Sequence, residues 1–154
     1  MVMKNRLLIR VFAIILVLIP IIGACIYEPF RDFFTFFSNW AMLFSFAWIV
    51  LLTCFAAQRE PSLGKHAMLH VLFEFALTLN LVTVIVYWGM IHHKVIDQYE
   101  GGRRLNMYFV HIFPAVGIWL TRQTIELYLN PGHWKIFIPI GIVYVYINYL
   151  ETKK

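Results

Sequence analysis

Five apolar runs separated by short charged connections leave this chain little choice of fold. They read Val11–Tyr27, Phe33–Ala57, Ala67–Ile91, Leu105–Leu120 and Trp134–Leu150. A helix crosses the hydrocarbon core with about 20 apolar residues, and about 17 is the lower limit. The second and third runs meet that length comfortably, and the first, fourth and fifth sit near the limit. Lipid offers unpaired backbone no partner, so each run must be a helix or a strand of a closed barrel. The period-two alternation of a barrel is missing. Apolar residues make up 61% of the 154 positions and charged residues only 14%, whereas a soluble domain of this size runs about half apolar and about a quarter charged. The expected fold is therefore all-α: a polytopic membrane bundle of about five transmembrane helices.

The connections Glu28–Asp32, Gln58–His66, His92–Arg104 and Thr121–His133 are short. Short loops make sequential helices pack antiparallel in one bundle, so residues 1–154 read as a single integral-membrane domain. Lys4, Arg6 and Arg10 precede the first run, and Gly23-Ala24-Cys25 resembles a cleavage site. The four later runs need insertion in any case, so the first run is expected to remain as an uncleaved span. The net charge of +5 is spread over termini and loops instead of forming a stripe. Membrane lipids are the partner this pattern implies, and nucleic acid is not. With five spans, seven basic residues fall on the side of the N-terminus and six on the other, which sets no orientation. The localisation read from these features is an integral membrane, with endomembrane and mitochondrial inner membrane both open. Cys25 and Cys54 lie inside runs and form no spacing motif.

Ionisable and hydrogen-bonding groups inside an apolar run are costly, so each calls for a partner or a task. His66, His70, Glu74 and Thr78 step by four and share one helix face in the third run. That face is either a polar clamp between helices or a proton-handling stripe. His70 and Glu74 with His111 are too few ligands in too loose a pattern for zinc, and no haem motif is present, so neither metal nor cofactor is expected. Thr35, Ser38 and Asn39 are spaced i, i+3, i+4 among aromatic residues at the start of the second run. The fourth run holds His111 three residues before Pro114, whose ring removes the hydrogen bond otherwise donated to the Val110 carbonyl. An imidazole beside a freed carbonyl marks a small polar pocket.

Several of these elements recur together in one family. Phe34-Thr35-Phe36 with Ser38-Asn39, then Val84-Ile85-Val86-Tyr87-Trp88, Leu105-Asn106 and His111-Ile112-Phe113-Pro114 follow one another in the same order. On these residues the chain resembles the androgen-induced and Rolling-stone-like multipass membrane proteins. The resemblance implies a threonine-dependent hydrolase of fatty-acid esters of hydroxy fatty acids, with Thr35 as nucleophile and His111 as its base. Ser38, Asn39, His70 and Glu74 would be supporting polar groups by their own chemistry, since the resemblance itself assigns Asn39 and Glu74 no role. The family usually has six spans and a Tyr-Pro-Phe element after the fifth, so this chain reads as a shortened, five-span member. A second reading stands beside it: a non-catalytic accessory subunit of a larger membrane complex. The 18% aromatic content supplies the faces through which such a subunit would bind its neighbours. Transport lacks the repeat symmetry it would need.

Overall fold

Three of the helices in this chain begin before the apolar runs they contain. A computed structural model describes residues 2–28, 36–56 and 63–125, with the single positions Lys135, Pro139, Ile142 and Tyr146. Among the described residues the long helices are α1 (Val2–Tyr27), α2 (Phe37–Ala56), α3 (Leu63–Val86) and α4 (Gly101–Arg122). α1 begins nine residues before the first apolar run, at Val2 instead of Val11. Hydropathy marks where lipid ends, whereas a helix continues wherever its own backbone bonds are satisfied. α3 passes into a π-helical turn at Tyr87–Ile91, a short α-helical turn at His92–Val95 and a 3-10 turn at Ile96–Gln98. Glu100 is extended and Gly101 takes a φ of 51°, a reversal that only glycine makes without strain, and α4 starts there. The fifth apolar run lies outside the described residues apart from the four single positions.

Among the described residues three helices are long and apolar enough to cross a membrane: Asn5–Tyr27, Phe37–Phe55 and Leu63–Gly89. That is the make-up of an integral membrane protein. α4 differs from them in a specific way. Its buried face carries Asn106, His111, Pro114, Gly117 and Thr121, while Leu105, Ile112, Val116 and Trp119 point outward. The uncharged polar groups Asn106, His111 and Thr121 are turned inward, and Arg103, Arg104 and Arg122 near the ends of the helix are exposed.

α1 packs on α2 and α4, and α3 packs on α2 and α4, with α2 and α4 also touching across the bundle. The helices alternate in direction. Arg10 near the start of α1 reaches Thr124 just beyond α4, and Tyr27 at the end of α1 closes on Gly102 at the start of α4. The buried positions of α1 are Arg10, Ala13, Val17, Pro20 and Ala24. Their alternating steps of three and four are the seam of a left-handed bundle contact. Opposite them Gly117 lies so close to Val17 and Ala13 that a side chain there would meet both. Leu8, Phe12, Ile15, Ile19, Ile22 and Ile26 form the other, exposed face of α1. The centre is filled by Trp48, Ile49 and Leu52 of α2, Phe73 and Ala76 of α3, and Ile118 of α4. A second small cluster joins Ala24, Met42 and Val110 across α1, α2 and α4.

Candidate functional site

The described residues place one imidazole deep in the bundle. His111 is 6% exposed, and its Nδ1 lies 2.6 Å from the carbonyl oxygen of Met107, one turn earlier on α4. A carbonyl only accepts, so Nδ1 carries the hydrogen and donates it. In the neutral ring Nε2 is then left with its lone pair free. The Tyr87 ring stacks on the imidazole with centroids 3.4 Å apart and planes 12° from parallel. Tyr87 is itself buried and opens the π-helical turn, a local geometry that often accompanies functional sites. Its hydroxyl lies 3.3 Å from Nδ1 of His92. Trp88 and Tyr108 complete a ring cluster, at 4.4 Å and 5.4 Å from the His92 ring centroid. These aromatic groups close the end of the bundle where α3 stops and α4 starts.

A buried polar line runs from that cluster into the core along one face of α3. Ala76, Asn80, Thr83 and Tyr87 are spaced four, three and four, which keeps them on the same side. Asn80 donates from Nδ2 to Ser45 Oγ of α2 at 2.8 Å and to the Ala76 carbonyl at 2.7 Å. Ser45 donates in turn to the Ala41 carbonyl at 2.6 Å. The Thr83 hydroxyl is buried and has no hydrogen-bond partner among the described residues. The sequence pointed to none of Ser45, Asn80 and Thr83, and to Tyr87 only as part of the Val84–Trp88 element. The steps of three and four from Ala76 to Tyr87 are the signal that would have found them.

Thr35 lies outside the described residues. Ser38 is half-buried in the first turn of α2, and Asn39 is fully buried beside it. Asn39 donates from Nδ2 to Glu28 Oε2 at 2.8 Å, which ties the start of α2 to the end of α1. The Met42–Val110 cluster and the approach of Gly117 to Ile49 put His111 level with Met42 and Leu43. Ser38 and Asn39 therefore sit roughly 6–8 Å along the axis from it, about one turn nearer the bundle end.

His70 and Glu74 form the pair their spacing implied, with Nε2 and Oε1 3.1 Å apart and the carboxylate only 3% exposed. Thr78 donates its hydroxyl to the Glu74 carbonyl at 2.8 Å. This stripe belongs to another level of the bundle. Glu74 precedes Tyr87 by thirteen residues, about 20 Å of helix. The imidazole of His111 and the carboxylate of Glu74 are thus not brought together. Near the stripe, α2 and α3 leave an open apolar groove of about 550 Å³ between Phe44, Ala67, Met68, Val71, Leu72 and Phe75. Among the described residues no three metal-ligating side chains converge.

No family model, no curated protein and no solved structure matches this chain.

Proposed function

We propose that this chain is a multipass membrane enzyme that hydrolyses fatty-acid esters of hydroxy fatty acids within the bilayer, with Thr35 as nucleophile and His111 as general base. The fifth apolar run supplies a further span in this reading, and the motif order shared with the androgen-induced and Rolling-stone-like proteins supplies the chemistry. The single observation that supports it is the state of His111. The Met107 carbonyl holds the hydrogen on Nδ1, as an orienting acceptor does in a hydrolase triad, so Nε2 is the basic atom. A threonine hydroxyl is a weak nucleophile until such a base takes its proton.

The steps balance without any further reactant than water. Nε2 takes the Thr35 proton as the threonine oxygen bonds to the ester carbonyl carbon. The resulting imidazolium then gives that proton to the departing alkoxide, releasing the hydroxy fatty acid and leaving the acyl group on threonine. Water, deprotonated by the same nitrogen, then adds to the acyl carbon, the acyl–threonine bond breaks to release the fatty acid, and the imidazolium returns its proton to the threonine oxygen. The test is hydrolysis of such an ester by the full chain in lipid nanodiscs. Thr35→Ala and His111→Ala should each abolish turnover, whereas His70→Ala, about five turns from the Tyr87 level, should leave it intact. Turnover undiminished in His111→Ala overturns the assignment.

A non-catalytic subunit is the second reading, and one observation favours it. Tyr87 covers a full face of the His111 ring, as a purely structural stacking pair would. Isolation from native membranes as a fixed-stoichiometry component, with no esterase activity, would establish that reading instead.

A further inference from the structure

The two ends of the bundle differ in how their charges are satisfied. At the end where α1 begins and α4 finishes, Arg10 is 7% exposed and donates from Nε to Thr124 Oγ1 at 2.9 Å and from Nη2 to the Thr124 carbonyl at 3.2 Å. Arg6 lies one turn before Arg10 on α1, and Arg122 lies two residues before Thr124. Both are exposed, so three arginines stand at the same end of the bundle. Among the described residues none of the three meets a carboxylate. Lys65 stands at the same end, over the Phe55 ring. The nearest carboxylate in sequence on α3, Glu74, is engaged with His70.

Acids stand beside the bases at the other end. Among the described residues Arg103 and Arg104 share it with Glu28, Asp97 and Glu100. Arg104 is 3.2 Å from Asp97, and Arg103 sits over the Tyr99 ring at 4.7 Å. A count of basic residues alone hides this difference, because among the described residues every acid except Glu74 stands at this end.

We propose that the corner formed by Arg6, Arg10 and Arg122 binds the phosphate of an anionic lipid headgroup, and that this end of the bundle sits in the anionic leaflet. Arg10 lies within the candidate span Asn5–Tyr27, about 8 Å inside its start, at the depth where acyl chains give way to headgroups. A guanidinium has five N–H donors, and Thr124 takes only two hydrogen bonds from Arg10. The planar fork suits a phosphate, which can take paired hydrogen bonds from it. Thr124 holds Arg10 in place, and a headgroup phosphate supplies the counter-charge that no described side chain at this corner supplies. The assignment is independent of the hydrolase reading.

The test uses the full chain, delipidated in a neutral detergent and measured by native mass spectrometry with added phosphatidylglycerol or phosphatidylcholine of equal chain length. Phosphatidylglycerol should bind in clear preference. In the variant carrying Arg6→Gln and Arg122→Gln, which keeps the Arg10 contact with Thr124, that binding should weaken roughly 25-fold, about fivefold per arginine. A second variant with lysine at both positions retains charge and should keep most of the preference. Equal binding of the two lipids, or unchanged phosphatidylglycerol binding in the glutamine variant, overturns the proposal. Displacement of the lipid by inorganic phosphate at the same concentration also overturns it, since that would make the corner a site for free phosphate.

Discussion

Gly117 measures how closely α1 and α4 approach. A Cβ at that position would lie 2.9 Å from Val17 Cγ2, 3.4 Å from Ile49 Cδ1 and 3.6 Å from the Ala13 carbonyl oxygen. Carbon atoms rest about 3.5–4.0 Å apart, so the Val17 methyl would have to retreat by roughly 0.6 Å or more. Val17 is fully buried and β-branched, and a helix holds such a side chain in essentially one rotamer. The adjustment must come from separating the helices. Overpacking of this kind costs about 1–3 kcal/mol. Helix propensity returns about 1 kcal/mol when alanine replaces glycine. Gly117→Ala should therefore lie between neutral and about 2 kcal/mol destabilised, and Gly117→Leu, with three further carbons in the same space, beyond about 3 kcal/mol. Gly64 is the control, since a Cβ there meets nothing within 4 Å. Gly64→Ala should be neutral or stabilised by up to about 1 kcal/mol. The assay is reversible denaturation in mixed micelles, followed by helicity and by fluorescence of the buried Trp48. A Gly117→Leu protein within about 0.5 kcal/mol of the unmodified chain would refute the α1–α4 register described above.

Three further outcomes can be checked in the same system. A double-mutant cycle on Ser45→Ala and Asn80→Ala should give a coupling of about 0.6 kcal/mol, with about 1.7 as an upper bound, and zero coupling would mean that the two do not bond across α2 and α3. Arg10→Ala should cost about 1–3 kcal/mol through loss of the bonds to Thr124, whereas Thr124→Ala, which keeps the carbonyl acceptor, should cost less; the reverse order in denaturation midpoints rejects the clamp. If His111 is the base, Tyr87→Phe keeps the stacked ring and most ester turnover, while Tyr87→Ala frees the imidazole and should lower turnover on the order of tenfold to a hundredfold without a matching rise in KM. Equal losses in the two Tyr87 variants would show that the hydroxyl, not the stacking, matters.

The α-helical class was legible from hydropathy because lipid excludes every alternative that leaves backbone unpaired. The pairing of His70 with Glu74 was legible too, since residues four apart on a helix must be neighbours. The ends of the helices were not. α1 continues to Val2 through Arg6 and Arg10, because charged side chains lie outside the apolar run without ending the helix. Nor was the task of Asn39, which shared a face with Ser38 in sequence and bonds Glu28 in the fold.

Apolar run length and charge placement by themselves determined that this chain forms helices long and apolar enough to cross a membrane, because the free energy of lipid contact is local to each segment. Only the tertiary structure decided which polar groups meet: Tyr87 with His111, Asn80 with Ser45, and Arg10 with Thr124. Those encounters depend on the register and rotation of each helix against its neighbours. Register is set by small residues such as Gly117 at the contact, and the close approach they permit is a property of two surfaces together.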